Sequence, residues 1–500
     1  MTKDDLRNAI LDTEDEWIGE ALPKTYGKTK KPLRGWRKPV LITAACAVIA
    51  LAALILWPKD PNTVSPGRTA YAQVLAEAAY PSMMNGDQFY LSGWDDYRNM
   101  TTEEIQELER KRAEAIRQDL NAFREVHGSG ADLKPFLQKV MAESLKGSGD
   151  ENQLAAPLNL YLALAMLSEA TSGETRQEIL DLIGAASQEK LREQAKKVWR
   201  ANYYDNGYVK CILGDSLWLS DQAEYREDCV NTIRDSYYAS VFRGEMGSED
   251  YQNMFRGWIN EQTGGLLEDS VSKLKLEEIL ALDLVSTFFF QDRWETEFSA
   301  RATENGVFHS PSGDMPAEFM KQTEDYGIYS YADGFGAYSK RLEDSDAVMY
   351  FILPDEGVSI DGLLDSEQLL AFLMDEKAVP QVMIKVNFAM PKFDIAQDRD
   401  YRSILQRLGV QKVFEEGKAD FSSLLTGELK DRTYVGAVQQ GARIIVDEEG
   451  VKAAAYFNIP APGAPMPPEE EIDFVLDRPF LFVLRSRDGL PILAGVVNAP

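Results

Sequence analysis

Histidine is nearly absent from this 500-residue chain: His127 and His309 are the only two. A His-based catalytic triad would have to use one of them, and neither stands in a nucleophile motif. Cysteine is almost as scarce. Cys46 lies inside an apolar run, so Cys211 and Cys229 can form at most one disulfide in the rest of the chain. Two free or buried thiols fit equally well. A disulfide-dense secreted scaffold is excluded, and no Cys/His cluster has zinc-ligand spacing. Positive charge is in deficit, with a formal net charge of −28. Nucleic acid is thereby excluded as a partner, because phosphate binding needs clustered Lys and Arg. No nucleophile elbow, phosphate loop or metal cluster is present, so the chain is read as a non-enzyme that needs no cofactor and no metal. Hydrophobic residues make up 44 %, enough for a large core. Internal repeats and low-complexity tracts are missing as well.

One long apolar run stands out against these absences. Pro39 to Pro58 carries no charge, and at about 1.5 Å rise per residue it would span roughly 30 Å, the thickness of a hydrocarbon core. Seven Lys and Arg residues precede it between 24 and 38, and Trp57 sits at its far end. The positive-inside rule then places residues 1–38 in the cytoplasm, 39–58 across a cell membrane as a single pass, and the remainder outside the cell. A cleaved signal peptide is the rival reading, with an unusually long leader and apolar stretch. A lipidated Cys46 is a third, with Thr43 where an apolar residue is usual. Residues 59–69, with Pro61, Pro66 and Gly67, read as a linker.

Residues 70–130 read as an N-terminal helical extension. Thr101 and Glu104 form a capping-box pattern, and Ile105, Leu108, Ile116, Leu120 and Phe123 follow at helical spacing. Further helices are expected at 133–145, twice within 157–182, at 227–238 and at 254–262. Strands are expected at 211–219, 347–353, 382–389, 443–446, 479–485 and 492–497. Leu282 to Phe290 is a near-continuous apolar run, the mark of a central strand buried on both faces. Helices first and strands later, without βαβ alternation, make an α+β pattern.

Six segments in order across 131–500 then resemble the serpin family. They are Ala156–Leu167 with Glu169–Arg176, Phe289–Trp294 with Phe298, and Phe351–Gly357. Met390-Pro-Lys-Phe393 follows, with Leu408-Gly-Val410 and Ala419–Ser422, then Val446–Ala455, and Asp477-Arg-Pro-Phe480 with Gly489-Leu-Pro and Gly495–Asn498. The resemblance implies a serpin fold of three β-sheets and about nine helices with an exposed reactive loop, in a monomer. It also implies an inhibitor of serine proteases, with cysteine proteases as a further class. The target protease cuts the loop, and the cut loop inserts as a new strand into the central sheet while the protease is held as an acyl-enzyme.

By the same resemblance Glu448, Glu449, Gly450, Val451, Ala453, Ala454 and Ala455 form the loop's hinge. The scissile region is Gly463, Ala464, Pro465 and Met466. Asn159, Ser286 and Gln440 stand at the polar cluster under the sheet, and Trp294 at its opening end. The residues themselves support insertion: Val451, Ala453, Ala455, Phe457 and Ile459 alternate with Lys452, Ala454, Tyr456 and Asn458. Val451, the bulky Tyr456 and Phe457, and Pro460 and Pro462 depart from the family's inhibitory pattern. They favour a second expectation, a non-inhibitory serpin serving as a cell-surface binding or sensing module.

Overall fold

The computed structural model describes residues 72–81, 100–205, 209–272, 274–276, 282–343, 345–451 and 470–500. They belong to one compact unit, Arg68–Pro500. The segments read as cytoplasmic (1–38), transmembrane (39–58) and linker (59–69), and the loop residues 452–469, lie outside the described residues. Among the described residues no helix is long and apolar enough to cross a membrane.

Seven helices carry the α layer: α1 Thr102–Val126, α2 Lys134–Leu145, α3 Pro157–Ala170, α4 Gly173–Ile183, α5 Gln188–Asn202, α6 Glu227–Tyr237 and α7 Glu249–Gln262. The described residues hold eleven α-helical segments rather than the expected nine. Without α1, which belongs to the extension, and the single turns Glu268–Val271 and Ile360–Leu363, eight remain, close to the expected number. The capping box forms as expected, with Thr101 Oγ1 accepting from Glu104 N and Glu104 accepting from Thr101 N at 2.7 Å. α3 is mostly apolar with no single hydrophobic face, and every one of its residues is buried. Its one carboxylate, Glu169, is held by Arg192 of α5 at 2.7 Å, by Gln188 Nε2 and by the Tyr237 hydroxyl of α6. Burial pushes this carboxyl up, but these bonds outweigh it and hold it below its ordinary range.

The strands are β1 Ala72–Ala76, β2 Gln153–Ala155, β3 Tyr204–Asp205, β4 Lys210–Ser220, β5 Glu224–Tyr225, β6 Ser240–Gly244, β7 Leu282–Arg293 and β8 Glu304–Ser310. They continue with β9 Gly313–Ala332, β10 Phe335–Arg341, β11 Val348–Pro354, β12 Gln381–Pro391, β13 Phe393–Asp400, β14 Leu425–Thr426 and β15 Val438–Val446. β16 Gly450–Val451, β17 Glu471–Val475, β18 Phe480–Arg485 and β19 Pro491–Val497 complete the set. Three sheets result. An eight-stranded sheet runs β1-β6-β4-β7-β16-β15-β13 with β3 beside β4. A nine-stranded sheet runs β17-β12-β9-β10-β11-β18-β19-β2 with β8 beside β9, and β5 pairs β14.

β7 is the central strand its apolar run predicts, buried from Leu282 to Phe290 between β4 and β15. The extension differs from expectation. It is helical over α1, but β1 is a strand that adds itself to β6 at the edge of the large sheet. The five residues Ala-Gln-Val-Leu-Ala are too few to show a strand period, and the pairing partner lies more than 160 residues away.

Candidate functional site

Two ends of the β7–β15 seam make the site. At one end the strands pair directly in parallel, Gln440 opposite Ser286 and Gly441 opposite Thr287. At the other end they stand apart, and the chain leaving β15 turns back between them. Asp447 builds the turn: its Oδ1 accepts the N–H groups of Glu449 (3.0 Å) and Gly450 (3.2 Å). Gly450 then pairs with Arg293, and Val451 pairs with Asp292 on one side and Val446 on the other. Val451 is only 2 % exposed. Backbones crowd here; a Cβ on Gly450 would lie 2.5 Å from the Asp292 carbonyl oxygen, a contact only glycine avoids. Among the described residues no strand fills the ladder between these two ends.

The open end is gripped from its rim. Trp294 donates from Nε1 to Asp447 O (3.0 Å) and from its backbone N to Glu449 O (3.1 Å), and Phe298 N donates to Glu448 O (2.9 Å). Glu448 pairs with Lys392 at 2.8 Å and accepts from Thr303 Oγ1 at 2.8 Å. Burial pushes the Glu448 carboxyl up, but these two partners outweigh it and hold it below its ordinary range. Behind Trp294 lies Lys340, 3 % exposed, its ammonium 4.5 Å over the Phe298 ring and 3.6 Å from Glu324. Burial pushes that ammonium down to about 8, with Glu324 acting against it.

The paired end is polar and buried. Asn159 of α3 donates to Ser286 Oγ (2.6 Å) and Thr287 O (2.8 Å). Gln440 closes on the first turn of α3 instead, accepting from Ala156 N (2.9 Å) and donating to Ala156 O (3.1 Å). Asp215 of β4 stands opposite Ser286 and is fully buried. Neither of its oxygens, nor Asn159 Oδ1, has a hydrogen-bond partner at ordinary distance. Burial pushes the Asp215 carboxyl up to about 8, which the Ser286 hydroxyl only partly offsets, so the group is neutral at pH 7.

The structure therefore brings Asn159, Ser286 and Gln440 together, and places Glu448, Glu449, Gly450 and Val451 at the other end beside Trp294. Ala453, Ala454, Ala455, Gly463, Ala464, Pro465 and Met466 lie outside the described residues. Sequence reasoning missed Asp215, Lys340 and Lys392. A lone acid inside the strand-like run 211–219 was a signal for the first, since an unpaired carboxylate is costly in a buried strand. Cys211 and Cys229 are free and buried, and burial pushes both thiols up to about 12.

Comparison with known proteins accords with this geometry. The family model described as Serpin (serine protease inhibitor) matches residues 133–500. Plasminogen activator inhibitor 1 of Sus scrofa is 26 % identical over 389 residues, 73 % of this chain and 91 % of its own length. Serpin-ZX of Arabidopsis thaliana is 26 % identical over 71 % of this chain and 93 % of its own length. Among solved structures, the thermophilic serpin tengpin in the native state superposes with a TM-score of 0.66 at 24 % identity, covering 74 % of this chain and 93 % of its own. Human thyroxine-binding globulin complexed with thyroxine gives 0.63 at 17 % identity, covering 76 % of this chain and 99 % of its own. With a family model spanning most of its length, and the parted seam that accepts the returning chain, this protein belongs to the serpin family.

Proposed function

We propose that the protein is a single-use inhibitor of serine proteases that traps its target by inserting the cut loop between β7 and β15. One observation carries the reading: Gly450 and Val451 already stand between the two strands, paired to both. Continuing that ladder residue by residue would set Ala453 against Phe290 and Ile444, and Ala455 against Phe288 and Ala442. The alternation of 451–459 would then turn Val451, Ala453, Ala455, Phe457 and Ile459 toward the core. Backbone pairing along a whole strand supplies the driving force for such an insertion, and a barrier rather than equilibrium keeps the uncut form.

The same ladder favours a second reading at one point. Phe457 would arrive between Ser286 and Gln440, beside the neutral Asp215, where an aromatic ring meets buried polar groups. With Pro460 and Pro462 following, insertion that stalls there would leave a non-inhibitory binding or sensing module. Residues 39–58 complete the proposal as a single-pass anchor that holds the serpin domain outside the cell, where it would protect the membrane that displays it.

The discriminating experiment mixes the chain with elastase-, subtilisin-, trypsin- and post-proline-type proteases and resolves the products on denaturing gels. A band at the summed mass of chain and protease is expected, and sequencing the released C-terminal peptide gives the scissile bond. Clean cleavage without that band, and without a gain in thermal stability of the cut chain, would sink the inhibitor and leave the binding module.

A further inference from the structure

Residues 72–81 lie outside the segment that matches the serpin family model, yet they are built into the large sheet. β1 pairs antiparallel with β6, Ala72 opposite Gly244 and Val74 opposite Phe242. Ala72 and Val74 join the apolar cluster that holds Phe255, Trp258 and Ile259 of α7. An irregularity between Val74 and Ala76 turns Ala76 to the main core instead. The chain then continues past the start of β6 toward the end of α7. Ala78 N donates to Ser240 Oγ at 3.1 Å, and the Tyr80 hydroxyl donates to Gln262 Oε1, at the end of α7, at 2.9 Å. The Tyr80 ring stacks on Trp199 of α5 at 5.5 Å and lies 5.3 Å from Tyr203. Gln262 reaches this position over Gly214, where a Cβ would come within 3.1 Å of its Oε1.

α7 matters because of what it covers. Ile259 of α7, with Leu267, Val271 and Leu274 just beyond it, lines a cavity of about 140 Å³ whose other wall includes Ser286, Thr287 and Gln439–Gly441. These residues sit over the part of the seam where β7 and β15 are still paired. No strand can pass down the seam until Gln440 and Gly441 leave Ser286 and Thr287, and the residues over that pairing line the space where the parting would occur.

We infer that residues 72–81 are an intramolecular strap that ties α7 to α5 and to β6, holds the cover over the seam, and so sets how fast the large sheet opens. This rests on the loop-insertion reading above. Contacts made in the closed sheet and broken before the barrier stabilise only the starting state, so removing them speeds the opening.

The test uses the full-length chain in mild detergent, held a few degrees below its unfolding transition. Protease is added at intervals, and the fraction whose loop can no longer be cut gives the rate of spontaneous insertion. Tyr80→Ala, which removes both the ring stack and the hydroxyl, is expected to insert about tenfold faster than the natural chain. Tyr80→Phe and Gln262→Ala, which remove the hydroxyl bond alone, are expected to insert about threefold faster. If Tyr80→Ala does not fold, the two milder variants decide. Insertion at the natural rate in Tyr80→Phe and Gln262→Ala, or in a folded Tyr80→Ala, overturns the strap while leaving the insertion reading intact. A natural chain that gains no thermal stability when its loop is cut overturns the insertion reading itself, and the strap with it.

Discussion

Asp215 shows how much a single buried carboxyl can govern. Its pKa is raised from 3.8 to about 8 by burial. The native state therefore binds more protons than the unfolded chain between those limits. Stability from this group is fully present below pH 3.8 and is lost progressively as pH rises toward 8, at roughly 1.4 kcal/mol per pH unit where the group dominates. Asp215→Asn keeps the shape of the neutral acid and never ionises. The expected outcome is a variant whose unfolding midpoint stays level, relative to the natural chain, from pH 5 to 8 while the natural chain declines. Parallel pH profiles for the two proteins would show that Asp215 does not carry that dependence. The residue was visible in the sequence only as one acid in a strand-like run; what makes it matter is Ser286, brought opposite it by strand pairing across 71 positions.

At the scale of elements, legibility followed the burial pattern. α1, α3 and β7 were read from local signals: a capping box, a mostly apolar helix and a near-continuous apolar run. α5 escaped because its apolar stripe, Leu191, Ala195, Val198 and Trp199, is thin among Lys, Glu and Arg. β15 was read only over its last four residues, because Val438-Gln-Gln-Gly441 is polar where it meets α3. β9, twenty residues long, is half-exposed over much of its length and carries too many charges to read as a strand. Glu448–Val451 were singled out by family likeness alone, whereas their seating in the seam had no sequence signal, since the contact that fixes it is backbone against backbone. Gly450→Ala tests that contact. A methyl group 2.5 Å from the Asp292 carbonyl oxygen should force residues 450 and 451 out of the seam. The variant is expected to be cut normally yet to trap protease several-fold less often per cleavage, because the first step of insertion is blocked. Phe457→Thr should act in the opposite direction, suiting the polar ground beside Ser286 and Gln440. Equal trapping by Gly450→Ala and the natural chain would mean that the seated hinge plays no part in capture.

The whole molecule adds a long-range term that no single contact contains. A formal net charge of −28 on 500 residues sets up a negative field around the molecule. Such a field raises the rate of encounter with a basic partner and lowers it with an acidic one, and salt screens it with a Debye length of about 10 Å at 0.1 M. On the proposed mechanism, insertion after protease and loop are joined would be an internal rearrangement driven by strand pairing and apolar burial, which salt barely screens. The two stages should therefore separate experimentally. For a protease with a basic surface, the second-order rate of inhibition is expected to fall by about tenfold or more between 0.05 and 0.5 M NaCl, while the number of cleavages per trapped complex stays constant. A protease with an acidic surface should show the reverse slope at the encounter step. A rate indifferent to salt with both proteases would place the slow step after encounter, in the opening of the seam, and would make the cover over Ser286 and Gln440 the part of the molecule that decides how fast it works.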